Sequence, residues 1–512
     1  MPKITRRSFL QRSVAAAVLT SSLSSCGRSP ESSAEPVSSA FDEFLDFDTL
    51  ELANLVRTRQ VSQLELVETV IRRIEAINPT INFMTNRFYE RARERAGQIP
   101  SDAPFAGVPL LLKDMADLGG MPRTDGSNFP PGNIPQHSAM YVDGLERAGF
   151  NFLGMTNVSE HAGVGGTDNI RFGATRNPWN LDYYPFMSSG GTAASVAAGV
   201  LSMAHGTDGA GSNRLPSSVT GLLGMKPTRY RMLADSHDGS HDIAKTNQMI
   251  SRTVKENAVA FLHTQDPGNG LFPEEPLFES ASTRRLKIGV AFENPGLVPV
   301  SEEIRSATEN SVQLMEDLGH DIVEVDYPIT AEEILVNYTN FFAGKTGGLK
   351  TAIESATGKA VTEAGVLSPF VAGSLQANAS VTADEIAAAL AFLEAIEPVF
   401  DTYFEDYDIL LTPVSPTAGL RIDEIGADTP YDEESLQTLI GSLKFTGAIN
   451  FAGCPAMSVP LNWDSKAGLP IGTHCVAAQG ADRTLYELAY ELEEARPWRN
   501  KWAPHSLKSM AK

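Results

Sequence analysis

The sequence predicts an α/β layered fold built as one large domain. Three observations lead there. Helical and strand-like patterns alternate from Phe41 onward. The strand-like runs are uninterrupted apolar segments, the signature of strands buried on both faces of a sheet. Neither an internal repeat nor a linker-like composition divides the chain between Phe41 and the C-terminus. With 512 residues, 42% of them hydrophobic, the chain can bury a large core without a metal or a disulfide framework.

Taken in order, the first confident element is a helix opened by Ser62-Gln63-Leu64-Glu65, a capping box in which serine and glutamate each satisfy a free backbone N–H. Leu66, Val70, Ile74 and Ile77 then recur at helical spacing and make one apolar face. Val108 to Leu112 reads as a buried strand, and so do Leu286 to Phe292, Ile409 to Thr412 and Ala456 to Leu461. Helical patterns lie between and after them, over Ser301 to Leu318, Thr382 to Glu397 and Asp482 to Ala495. This alternation is what predicts layers of helix on sheet.

The residues ahead of the domain read as an address. Thr5-Arg6-Arg7-Ser8-Phe9-Leu10 supplies a twin-arginine region, and Ser13 to Leu23 is an uncharged stretch too short to span a bilayer. The pattern resembles a Tat export signal. Leu23-Ser24-Ser25-Cys26-Gly27 looks like a bacterial lipobox in which Cys26 becomes the acylated N-terminus; the alternative is an accidental cysteine in a signal cut elsewhere. The expected division is therefore a signal over 1–25, a Ser/Pro-rich tether over 26–41, one large folded domain over 42–505 and a tail over 506–512. The expected location is the periplasm, free or anchored to the membrane through Cys26. Membrane contact is expected only through the signal or the lipid.

Charge narrows the partners. The net charge is −22, and the first 25 residues hold Lys3, Arg6, Arg7 and Arg12 with no acid, so the remainder carries −26. Such a surface repels phosphate backbones, which argues against nucleic acid and leaves small-molecule or polymer substrates open. Beyond Cys26, Cys454 and Cys475 sit in apolar surroundings and read as buried core thiols; a disulfide between them is permitted but not indicated. His237 and His241 flank Gly239, which argues for a loop rather than a helical metal site.

Three segments break local rules in a way that packing does not require. Gly107-Val-Pro-Leu-Leu-Leu-Lys113-Asp114 delivers a lysine at the end of a buried strand. Met187-Ser188-Ser189-Gly190-Gly191-Thr192 opens a small-residue helix. Gly206-Thr-Asp208-Gly209-Ala210-Gly211-Ser212-Asn213-Arg214 offers a run of backbone N–H groups before a serine, the makings of an anion-binding concavity. A desolvated lysine can be neutral enough to serve as a base for a serine nucleophile. His205 and Asp208 are sequence neighbours of Ser212 without a nucleophile elbow, so they do not read as a Ser-His-Asp triad.

In this order, and with Asn157-Val-Ser-Glu160, Phe172 to Trp179, Gly224-Met225-Lys226-Pro227-Thr228, Tyr407 to Pro413 and Gly453 to Pro460, the chain resembles the amidase signature family from about Leu50 to Trp498. The resemblance implies a mixed central β-sheet covered by helices on both faces. It implies a Ser-cisSer-Lys triad: Ser212 as nucleophile, Ser188 as proton relay, Lys113 as neutral base. It further implies an oxyanion hole from the N–H groups of Gly209, Ala210, Gly211 and Ser212, support of Lys113 by Ser189, and an Asp208–Arg214 ion pair bracing the loop. The substrate would be a small-molecule carboxylic amide, with no cofactor and no metal.

Phe186-Met187 and Ala210 depart from the family pattern, where glycines are usual. They motivate a competing reading as an inactive, ligand-binding lipoprotein. An esterase and a tRNA-dependent amidotransferase subunit are further readings within the fold; export argues against the second. Substrate selection is expected from the segment between about Ile329 and Gln437, where Phe341, Phe342 and Phe370 serve equally well as pocket wall or core. The sequence leaves the oligomeric state open.

Overall fold

The computed structural model describes residues 44–163 and 165–510. The twin-arginine segment, Cys26 and the expected tether lie outside the described residues.

Eleven strands form two sheets among the described residues. The smaller takes β1 (Met84–Arg87), β2 (Pro109–Lys113) and β3 (Asn151–Thr156) in the order β1-β3-β2, with β2 and β3 parallel. The larger has eight strands: β4 (Met203–Asp208), β5 (Leu223–Lys226), β6 (Thr246–Ser251), β7 (Lys287–Val290), β8 (Asp321–Glu324), β9 (Ile409–Pro413), β10 (Ala456–Trp463) and β11 (Pro470–Ala477). Their order is β4-β6-β5-β10-β11-β9-β7-β8. Pairing is antiparallel from β4 to β9 and parallel at β9-β7-β8, so the sheet is mixed, and helices cover it.

The capping box at Ser62 is present: Ser62 Oγ accepts from the Glu65 N–H, and Glu65 accepts from the Ser62 N–H. It opens α2 (Gln63–Ile81), which follows α1 (Thr49–Arg57) and buries Leu66, Val70, Ile74 and Ile77. The four expected strands appear within two residues of their ends as β2, β7, β9 and β10. The helical pattern over Thr382 to Glu397 resolves into two helices, Ala383–Glu394 and Ile396–Asp406, sharing Ala395 as a cap. Cys475 lies on β11 and Cys454 just before β10; both are buried free thiols, and burial pushes each up to about 12.

Six further helices matter here: α3 (Gly190–Ala197), α4 (Arg214–Thr220), α5 (Ala331–Thr357), α6 (Pro369–Asn378), α7 (Glu433–Ser442) and α8 (Asp482–Ala495). The two ends of the described chain meet. Arg499 bonds the Asp46 carbonyl and pairs with Glu51, and Lys508 pairs with Asp46. The stretch set apart as a tail contains a short helix, Leu507–Met510, whose Leu507 is buried and donates its N–H to the Ala198 carbonyl.

Candidate active site

The chemistry gathers where the small sheet meets the edge of the large one. β2 is buried throughout, so its last side chain, Lys113, has no path to water. The Lys113 N–H donates to His205 Nδ1 on β4 at 3.3 Å, which ties the two sheets together. His205 Nε2 in turn faces the Asn247 Oδ1 acceptor at 3.2 Å. A ring that accepts at one nitrogen and donates at the other is neutral, and burial drives its pKa down to about 3. His205 is thus a structural brace facing Lys113, in line with rejecting a Ser-His-Asp triad.

Lys113 Nζ lies 2.7 Å from Ser188 Oγ and 2.8 Å from Thr207 Oγ1, with the Thr207 carbonyl at 3.5 Å. Burial holds this amine well below its ordinary pKa; the Lys245 cation adds to the effect, and Asp208 and Asp125 oppose it. A neutral amine has two N–H donors and one lone pair, and three oxygens surround it. Both donors can go to Thr207, leaving the lone pair for the Ser188 hydroxyl proton.

Ser188 follows a cis peptide from Met187 and is buried. The next residue, Ser189, donates its N–H to the Ser212 carbonyl at 3.2 Å, which lays the Ser188–Ser189 pair beside Ser212. Ser189 Oγ bonds the Thr207 carbonyl at 3.2 Å, so Ser189 reaches Lys113 one residue removed, through Thr207. Gly191 lets this segment come close: a Cβ there would stand 2.4 Å from the Asn157 carbonyl oxygen.

Ser212 precedes α4 on the loop after β4 and is half-buried, whereas Ser188 and Lys113 are sealed beneath it. Asp208 organises this loop. Its carboxylate accepts from the N–H groups of Gly211 at 2.7 Å and Asn213 at 3.2 Å, and pairs with the Arg214 guanidinium at 2.9 Å, both side chains fully buried. The guanidinium also donates to Asn450 Oδ1 at 2.6 Å, to the Thr446 carbonyl at 3.2 Å and to His474 Nε2 at 2.9 Å.

One expectation is corrected here. The Gly211 N–H is committed to Asp208, so Gly211 leaves the set of oxyanion donors. The N–H groups of Gly209, Ala210 and Ser212 have no hydrogen-bond partner among the described residues. The left-handed backbone falls on Gly211, with φ of 121°, and not on Ala210, which is why alanine is tolerated at 210. A Cβ on Gly211 would stand 2.4 Å from Thr446 Oγ1. Gly211→Ala is therefore expected to cost about 1–3 kcal/mol of stability, read as a lowered urea midpoint with the slope unchanged.

Above Ser212 opens a cleft of about 860 Å³, part of it continuous with solvent. Met187 and Ala210 line it together with Ser212, so the two departures from the family pattern shape the floor and leave the serine accessible. The walls come from α5, α6 and α7, including Phe342, Phe370 and Leu439. Phe341 instead packs in the core, its ring perpendicular to that of Phe451 at 5.4 Å. No Lys, Arg, Asp or Glu is among the described residues lining the cleft.

The amidase family model matches residues 65–486. The chain belongs to the amidase family. Among its relatives is the 6-aminohexanoate-cyclic-dimer hydrolase of Paenarthrobacter ureafaciens, 31% identical over 487 residues, which cover 88% of this chain and 95% of that one. A solved structure of 6-aminohexanoate cyclic dimer hydrolase complexed with substrate superposes with a TM-score of 0.81 at 30% identity, covering 90% of this chain and 99% of the other. A bacterial aryl acylamidase of the amidase signature enzymes gives 0.79 at 27% identity, over 88% and 96%. This amidase is accordingly an enzyme that hydrolyses carbon–nitrogen bonds other than peptide bonds, acting on small-molecule amides.

Thr207, Thr446, Asn450 and His474 are the site residues that sequence reasoning missed. Thr207 alone carried a signal, since it lies inside the Gly-Thr-Asp segment singled out for its glycines.

Proposed function

We propose that this amidase is exported and hydrolyses an uncharged carboxylic amide bearing a large apolar group, through an acyl-enzyme on Ser212. The observation that carries the reading is the buried Lys113 amine, held by burial well below its ordinary pKa, 2.7 Å from Ser188 Oγ and beneath a cleft that exposes Ser212. In this scheme Ser212 Oγ attacks the amide carbon as its proton passes to Ser188 and the Ser188 proton passes to Lys113 Nζ. The tetrahedral oxyanion is held by the N–H groups of Gly209, Ala210 and Ser212, each worth about 3 kcal/mol. The Lys113 ammonium returns its proton through Ser188 to the leaving nitrogen, and water then releases the acid from Ser212.

A cleft without charged walls favours an uncharged ligand, since a buried charge lacking a partner is costly. The twin arginines Arg6-Arg7 and the Cys26 lipobox support export and anchoring. The test of the nucleophile needs no substrate. Labelling of the mature protein with a fluorophosphonate, followed by peptide mapping, is expected to place the adduct on Ser212. An adduct on another serine, or none on folded protein, would overturn the assignment.

A further inference from the structure

The loop after β3 carries a histidine that neither the packing nor the proton relay uses. His161 lines the same cleft as Ser212, Ala210 and Met187. Its Nε2 is shut away from solvent and has no hydrogen-bond partner among the described residues. Its backbone is held in the left-handed region, φ 48° and ψ 26°, and Ala162 follows at φ 59°. The His161 N–H donates to the Asp125 carbonyl at 2.9 Å, which fixes that turn.

A β-carbon-bearing residue in this region is strained and persists where the surroundings impose it, often at ligand contacts. An orphaned buried nitrogen is a second cost, because burial strips it of water without a replacement. Burial also holds the imidazole below its ordinary pKa; Asp125 opposes this shift and Arg123 reinforces it. Around neutrality the ring is therefore uncharged, able to donate or accept according to tautomer. It is the only imidazole among the described residues of an otherwise uncharged cleft, and the cost of the unpaired nitrogen shrinks when a ligand atom meets Nε2.

We propose that His161 is a specificity-determining residue whose Nε2 hydrogen-bonds an uncharged polar group, a second carbonyl or amide, carried by the substrate within the cleft. The inference rests on the reading of Ser212 as nucleophile and adds to it a substrate class: amides with an internal hydrogen-bonding group rather than plain alkyl amides. A site that pairs a polar group discriminates against the analogue lacking it, because its own polar atom is then left unpaired.

The test measures how two amides slow fluorophosphonate labelling of Ser212: decanamide, and 6-(acetylamino)hexanamide, which carries an internal secondary amide. In His161→Phe, the concentration of 6-(acetylamino)hexanamide giving half-protection is expected to rise about tenfold, while that of decanamide stays within twofold. His161→Asn, which keeps a short donor and acceptor, is expected to restore most of the protection. Failure of 6-(acetylamino)hexanamide to protect the wild type, an equal change for both amides, or no change in His161→Phe would each overturn the proposal. Absence of label on wild-type Ser212 would instead overturn the nucleophile assignment on which it rests.

Discussion

Ser212→Ala and Lys113→Met are each expected to lower kcat by about 10⁴-fold, and the double variant by no more than either alone. Groups that act as one unit in a proton relay are not additive: once either end is missing, the other has nothing to pass. The lysine variant carries a second signature that a damaged fold would not. Lys113 is uncharged in the native state and protonated in the unfolded chain over the window between its depressed value and about 10.5. The unfolded state binds the extra proton there, so the lysine's contribution to stability worsens as pH falls from about 10.5 through that window. Lys113→Met removes this burden. Its melting temperature is expected to exceed the wild type's near pH 7, with the gap closing toward pH 10. Activity of the wild type is expected to fall as pH drops through the depressed lysine value, because the ammonium cannot accept the Ser188 proton. Thermal melts and pH–rate profiles on the three variants check both halves. Additive losses, or a less stable Lys113→Met at neutral pH, would contradict the relay.

Asp208→Asn is expected to be the most destabilising of the polar substitutions, at about 3–5 kcal/mol. The change leaves the fully buried Arg214 guanidinium without its counter-charge, and breaking a buried pair costs far more than the pair is worth against an apolar replacement. Arg214 chiefly, with Lys226 and the Asn450 amide, holds the Asp208 carboxyl well below the usual carboxylate range despite the opposing effect of burial. A depressed carboxyl contributes stability that is present above the unfolded value, near 3.9, and lost only as pH falls through the native value. The wild-type loop should therefore survive mild acid, and the stability gap between wild type and Asp208→Asn should persist at pH 4. Urea unfolding at pH 7 and pH 4 measures it; an unchanged midpoint at pH 7 would refute the bracing role.

How much of this was legible in the sequence depends on how far apart the partners lie. Lys113, Ser188 and Ser212 stood out because each sits in a segment whose glycines, serines or buried lysine serve packing poorly. Of the brace around Asp208, the resemblance implied the Arg214 partner but not Asn450, which is 242 residues away and comes close only when the chain folds. Direction was also hidden: a run of N–H groups at 209–212 shows donors but not where they point, and the structure turns that of Gly211 toward Asp208. The three phenylalanines illustrate the same limit on a helix. Phe341 and Phe342 are adjacent, yet each residue turns the helix by about 100°, which sends one into the core and the other into the cleft. The strands β3 to β6 and β11 passed unnoticed because small and polar residues such as Gly206, Thr207, Asn247 and His474 interrupt their apolar pattern.

The meeting of the two chain ends bears on how the protein is made. Trp498 is buried and donates its indole N–H to the Arg252 carbonyl, while Arg499 and Lys508 grip the Asp46–Glu51 stretch. The first helix among the described residues, α1, thus completes its packing only once residues 499–508 are in place. Until then, Leu45, which shares a core cluster with Leu507, lacks part of its cover, and exposed apolar surface of this kind invites association during synthesis. Loss of residues 498–508 would therefore leave an open seam, so this segment works as a latch that closes the domain over α1.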